Sequence, residues 1–296
     1  MNPEDTRLGL LGKLIESIDE NFEGKPKVSG AEIFRKAAVD LKQPAKRPPL
    51  AISIGTDTEA YKGEFYPLPF ASFGGISLVK GEEKTRKSFA MSLILAAAIG
   101  GKANNYAEEI RGHNLTDKWI IAIDTEQDDY YSWLNADRVR KMVGEIPKNF
   151  KYIRLRGYSI DQRNEFLDWL FLESPIKNSL GIVSLDGYVD FVKNFNDQEQ
   201  SSEFTQRLLR YTEESKCHIT GVLHLNPGSE KARGHLGTIL QQKCESVVII
   251  EDMGTYSTFK CQRGRGKGFK NFDFKVNSDW LPEVIEGKCL PKTSNL

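Results

Sequence analysis

The residues Gly81-Glu82-Glu83-Lys84-Thr85-Arg86-Lys87-Ser88 follow the apolar run Ile76-Ser77-Leu78-Val79 and precede a second apolar run at 89–99. Strand, turn and helix in that order, with Lys87 and Ser88 closing the turn, match the pattern G-x-x-x-x-G-K-[ST]. The chemistry explains the layout. Backbone N–H groups at a helix entrance cradle phosphate oxygens, a lysine reaches the outer phosphates, and a hydroxyl holds Mg²⁺. Gly81 through Phe89 are therefore candidate contacts to a nucleotide such as ATP, with Ser88 also on the metal. Arg86 stands where the second glycine belongs, a place that wants a backbone shape other residues resist. Its charge could instead lie beside the phosphates. The plain alternative is a solvated Lys/Glu turn.

Two more apolar runs end in acids: Ile120-Ile121-Ala122-Ile123 leads into Asp124-Thr125-Glu126, and Gly181-Ile182-Val183-Ser184-Leu185 leads into Asp186. Ligands of open α/β sheets sit outside the carboxyl ends of the strands, so both acids belong on the rim that carries the 81–88 turn. Asp186 has the position to hold Mg²⁺, and Glu126 to deprotonate an attacking water. Either acid alone could equally cap a helix or a turn. A run at 218–223 delivers His224, Leu225 and Asn226 to the same rim. The Asn226 amide could sense a terminal phosphate, or Asn226-Pro227-Gly228 could simply be a turn. Further on, 260–270 reads KCQRGRGKGFK, with five positive residues and no acid. Lys260, Arg263, Arg265 and Lys267 would form a cationic prong. It could contact phosphate in a neighbouring subunit or grip a nucleic-acid backbone; the bland reading is a solvated hairpin tip.

The elements needed to position these groups can be read from periodicity. Amphipathic spacing predicts helices at 8–18 and 31–41, followed by a Pro- and charge-rich linker at 42–49. From residue 50 strands alternate with helices, the mark of a parallel sheet with crossovers. Strands are expected at 50–54, 75–79, 119–123, 152–155, 181–185, 218–223, 247–251, 258–262 and 272–276. Helices are expected at 87–99, 130–143, 160–172, 198–215 and 235–243. Trp133, Trp169 and Phe171 sit at helical spacing and read as core. The division is therefore a helical extension and linker at 1–49, an α/β domain at 50–280 and an irregular tail at 281–296.

Lys+Arg and Asp+Glu both number 41, so any attraction to nucleic acid must be local. The cysteines (Cys217, Cys244, Cys261 and Cys289) lack C-x-x-C spacing and read as reduced thiols. The longest apolar run is too short to span a bilayer, and the N-terminus lacks a signal peptide's apolar core. A soluble, cytoplasmic protein without a membrane partner is expected.

The ordered motifs resemble the RecA-like P-loop ATPases, especially the hexameric replicative helicases of the DnaB and plasmid RepA type. The turn at 81–88, IDTEQ at 123–127, SLDG at 184–187, HLN at 224–226 and KCQRGRG at 260–266 carry the resemblance, which covers about two thirds of the chain. GEEKTRKS with RGHLGT also resembles ATPases of Bacteroidetes mobile elements and phages, in which an Arg-Lys-Ser/Thr ending is familiar. The resemblance implies a RecA-like core of five strands in the order 5-1-4-3-2 and ATP with Mg²⁺ bound between subunits. It further implies a homo-oligomer, a hexamer in the helicases, working on single-stranded DNA. It casts Glu126 as the catalytic acid, Asp186 as the Mg²⁺-linked acid and the 224–226 segment as the polar sensor. A basic finger reaching the next subunit would be Lys260 with Arg263, or Arg263 with Arg265. A nucleotide-dependent DNA-binding or assembly factor with little turnover is the alternative.

Overall fold

The computed structural model describes residues 29–42, 45–61, 63–226 and 228–285; the helix expected at 8–18 lies outside them. The chain divides into two units, Met1–Arg47 and Pro48–Leu296. In the first unit, α1 (Gly30–Ala37) begins where the Ser29 side chain accepts the Glu32 N–H at 3.2 Å. It stops short of the expected residue 41. Asp40 Oδ1 accepts the Lys42 N–H at 2.9 Å, a local bond that competes with helix continuation.

The second unit is mixed α/β, built on a nine-stranded sheet. Its parallel part comprises β3 (Ile76–Gly81), β5 (Trp119–Asp124), β6 (Phe150–Arg154), β7 (Leu180–Asp186), β8 (His218–His224) and β9 (Ser246–Asp252). These lie in the order β9-β3-β8-β7-β5-β6. An antiparallel meander of β10 (Ser257–Gly264), β11 (Phe272–Val276) and β12 (Pro282–Ile285) extends the β9 edge. The tail expected to be irregular from 281 therefore opens with a strand. Pro282 is tolerated there because it begins the strand and the strand is at an edge.

Side-chain alternation covers both faces of the sheet. Val79, Ile120, Ala122 and Ile182 join one core with α2 (Lys87–Ile99) and α3 (Asp129–Val143). Leu78, Ile121, Ile123, Val183 and Leu185 join the other with α4 (Ile160–Asp168), α5 (Gln198–Ser215) and α6 (Gly234–Lys243). α2 is apolar nearly all round and correspondingly buried. The helix expected at 160–172 leaves α geometry at Asp168 and finishes as a π turn, Trp169–Glu173. Phe171 is core as expected. Trp133 and Trp169 are not; they are 60% and 46% exposed.

The strand expected at 50–54 does not join the main sheet. β1 (Leu50–Tyr61) is the centre of a separate antiparallel sheet, between β2 (Glu64–Ser72) and β4 (Ile110–Gly112). β2 was hidden by Pro67 and Pro69, which argue against a central strand and are accommodated at an edge.

Buried polar groups hold the end of β2 to the base of the main sheet. The Ser72 N–H donates to Glu245 Oε1, and His218 Nδ1 bonds the Ser72 carbonyl at 2.9 Å. Burial pushes the Glu245 carboxyl up to about 7, against the bond from Ser72 and the charge of Arg265. It pushes His218 down to about 4. Folded Glu245 therefore holds its proton above its ordinary value of 4.5, and the stability this group supplies is lost as pH rises through about 7. His218 acts in the opposite sense, costing stability as pH falls from 6.5 towards 4. Glu245→Gln retains an acceptor for Ser72 and removes the buried charge. Chemical denaturation should show the variant more stable than the parent by roughly 1–3 kcal/mol at pH 8, with the gain gone at pH 5. An equal difference at both values would contradict this assignment.

Candidate functional site

The carboxyl ends of β3, β8, β7 and β5 meet along one rim. Gly81 is in register with His224, and Asp124 with Asp186. The 81–88 loop leaves β3 and enters α2 there. Gly81 is required by close approach: a Cβ on it would lie 2.6 Å from Thr85 Oγ1 and 2.7 Å from the Ile250 carbonyl. Thr85 Oγ1 donates to the Glu82 carbonyl at 3.0 Å, closing the turn. Glu82, Glu83 and Lys84 are exposed. Lys84 and Arg86 both lie in the left-handed region, at φ 62° and 66°. At Arg86 this is the shape a glycine would adopt freely, and a side chain makes it cost about 1–2 kcal/mol. Arg86 gives α2 no side-chain cap, and its carbonyl accepts the Phe89 and Ala90 N–H groups, both at 3.1 Å.

Lys87 is buried, and its ammonium donates to the carbonyls of Gly81, at 3.2 Å, and Glu82. Burial lowers its pKa, while Asp186 and Glu126 pull it back up. Three groups placed on one rim by sequence are thus electrostatically coupled in space. Asp186 is pushed up to about 7 by burial and by the nearby carboxylates of Asp124 and Glu126. A divalent cation would relieve that repulsion. Ser88 and Asp186 both line one small cavity of about 20 Å³. The hydroxyl and carboxylate oxygens are hard donors of the kind Mg²⁺ takes, while among the described residues no three His, Cys, Asp or Glu side chains cluster as a metal site.

Glu126 is half-exposed, its position fixed through the backbone. Asp124 Oδ1 accepts the N–H groups of Glu126 and Gln127, both at 2.9 Å, and Asp124 Oδ2 accepts the Tyr152 hydroxyl at 2.7 Å. Asp124 itself is fully buried and orients the loop that presents Glu126. The Asp-x-Glu spacing was visible in the sequence; the support from Tyr152 was not. His224 Nε2 lies 3.9 Å from Glu126 Oε1. The nearby His224 imidazole is the largest influence holding the Glu126 carboxyl below the ordinary range. His224 Nδ1 is buried without a hydrogen-bond partner. Of the three residues delivered by β8, it is therefore His224, rather than Asn226, that meets the acid. Asn226 forms a turn, its N–H bonded to the Lys231 carbonyl at 3.0 Å and its carbonyl to the Ser229 N–H at 3.1 Å.

One expected contact is redirected. The Arg86 guanidinium does not stand over the loop; it bonds Asp252, Gly254, Tyr256 and Ser257 in the β9–β10 turn. The Phe89 ring lies 3.8 Å under the Arg138 guanidinium of α3. Beyond Lys260, the cationic prong leaves the rim of its own chain. β10 runs antiparallel from the rim, so Lys260 is level with Ile249, while Gly264 pairs with Ser246 at the amino ends of the parallel strands. Lys260 is held by Glu251 at 2.7 Å and Glu230 at 3.2 Å. Arg263 donates to the Gln241 carbonyl at the end of α6, at 2.8 Å. Arg263, Arg265 and Lys267 are exposed.

A lysine, a hydroxyl, two carboxylates and an imidazole thus converge at a helix entrance, a set able to hold a phosphorylated ligand with a divalent cation and to activate water. The chain matches no protein-family model and no curated protein sequence. No described helix is long and apolar enough to cross a membrane.

Proposed function

We propose that this chain is an ATP-binding and ATP-hydrolysing enzyme with a RecA-like core, acting as a motor on DNA in the manner of a plasmid, phage or mobile-element replicative helicase. The observation that carries the reading is the convergence of Lys87, Asp186, Glu126 and His224 on the carboxyl rim beside the 81–88 loop. The sheet supports it. Numbered along the chain from β3 and leaving out β6, the parallel strands run 5-1-4-3-2 across the sheet, the order the resemblance implies.

In this reading Lys87 exchanges its bonds to the loop carbonyls for the outer phosphates of ATP, and the loop and helix N–H groups take the remaining oxygens. Ser88 and Asp186 hold Mg²⁺, which when bound neutralises phosphate charge. Glu126 accepts a proton from the attacking water, and His224 lies beside that exchange.

The motor part of the proposal draws on the exposed prong and on assembly. Arg263 and Arg265 lie at the end of the sheet away from their own 81–88 loop, so a catalytic contribution requires another copy of the chain. The same placement favours the second reading, a nucleotide-dependent DNA-binding or assembly factor with slow turnover as a single chain. ATP hydrolysis with and without single-stranded DNA, measured on Arg263→Ala and Arg265→Ala, separates the two. A finger residue should lose about 10³-fold or more in turnover with nucleotide affinity retained, and regain activity in mixed oligomers with a Lys87→Ala chain. A DNA-contacting residue should instead lower the salt slope of DNA binding by about one unit per phosphate contact. If the single and double variants match the parent in turnover, assembly and DNA affinity, the motor reading fails and nucleotide binding alone is left.

A further inference from the structure

We infer that Arg86 is the positioning residue of the phosphate loop, bracing from outside, through the β9–β10 turn, the left-handed backbone that glycine would adopt unaided. The inference rests on the nucleotide-binding reading for its consequence, though not for its geometry.

Arg86 sits at φ 66°, ψ 29°, one residue before Lys87. Its guanidinium makes four bonds, all into one short turn: to Asp252 Oδ1 at 2.6 Å, the Gly254 carbonyl at 2.6 Å, Ser257 Oγ at 3.0 Å and the Tyr256 carbonyl at 3.3 Å. The turn is shaped to receive it. Gly254 has φ +83° and donates its N–H to the same Asp252 oxygen at 2.9 Å. The Met253 N–H closes the turn on the Tyr256 carbonyl at 2.9 Å. Ser257 adds a second tie to the loop, donating its hydroxyl to the Thr85 carbonyl at 3.4 Å.

A planar guanidinium with five fixed donors, charged at every relevant pH, can satisfy several acceptors at once; an ammonium cannot reproduce that geometry. The side chain thus points into the β9–β10 turn. What it supplies is shape. Holding a binding loop in its bound form before the ligand arrives reduces the ordering cost of binding. Asp252, whose carboxylate accepts from Arg86, should therefore govern nucleotide affinity through Arg86. Glycine at position 86 should leave the Ser257 hydroxyl bond to the Thr85 carbonyl as the remaining tie between this turn and the loop.

A double-mutant cycle tests this, with the dissociation constant of a fluorescent ATP analogue plus Mg²⁺ as the readout. Asp252→Ala and Arg86→Lys should each weaken binding on the order of tenfold. Arg86→Gly should bind within about threefold of the parent, and adding Asp252→Ala to it should change affinity less than about twofold. An unchanged affinity in Asp252→Ala, or an equal loss in the Arg86→Gly background, would overturn the inference. Hydrogen exchange of the 82–88 amides without nucleotide gives an independent reading. Asp252→Ala should speed exchange about tenfold or more in the parent and leave the Arg86→Gly chain unaffected. Equal exchange in parent and Asp252→Ala overturns the brace even if nucleotide binds. Absence of nucleotide binding in the parent, with the exchange pattern as expected, overturns the function and leaves the brace standing.

Discussion

Lys87→Ala is expected to lower nucleotide affinity and hydrolysis by at least about 100-fold while leaving the protein folded. Lys87 is a buried cation on the rim, its charge favoured by Asp186 and Glu126 and its ammonium bonded to the carbonyls of Gly81 and Glu82. Burial already costs its charged form, so truncation removes a desolvated charge and leaves two carbonyls that keep other partners, Gly81 the Leu225 N–H at 3.2 Å and Glu82 the Thr85 hydroxyl at 3.0 Å. The folded state should therefore lose little, and circular dichroism and the thermal midpoint should stay close to the parent's. Loss of ligand with retention of fold separates a ligand-binding lysine from a structural one. A variant that unfolds would make Lys87 part of the scaffold, and a variant that hydrolyses ATP at the parent rate would remove it from the site.

Glu126→Gln should separate binding from turnover. Amide and carboxylate have the same shape, and the backbone N–H of residue 126 remains held by Asp124. Nucleotide affinity should change by no more than a few-fold, while single-turnover hydrolysis slows by about 10²-fold or more, the scale for loss of a general base. The pH profile adds a sign. His224 holds the Glu126 carboxyl below its ordinary range, so the base is ionised throughout neutral pH and its own titration limits activity as pH drops through that lowered value. His224→Ala should move this acidic limb upward. Loss of nucleotide affinity in Glu126→Gln at an unchanged saturated rate would instead make Glu126 a group that holds the metal or the fold.

Much of this site was legible in the sequence because parallel strands leave a strong local signal. Buried runs such as WIIAID and LGIVSLD end in the residues that face the ligand rim, so strand and functional residue are read together. What was not legible depends on pairs far apart in the chain. The direction of the Arg86 side chain is set by acceptors at 252–257, about 170 residues away, and the choice between His224 and Asn226 by where Glu126 sits. The prong is a similar case. Its charges were plain, but which end of the sheet they occupy follows from the antiparallel pairing of β10 with β9. The β1–β2 sheet was missed for a local reason, since Pro67 and Pro69 argue against a strand until its edge position is known.

The central claim is that the 81–88 loop and the carboxyl rim bind the phosphates of a nucleotide with a divalent cation. The most direct measurement is a titration of the purified parent chain with a fluorescent ATP analogue, with and without Mg²⁺, alongside Lys87→Ala. The account predicts saturable binding by the parent that is competed by ATP, strengthened by Mg²⁺ and lost in the variant. Parent and variant binding alike, or neither binding at millimolar nucleotide, would contradict it.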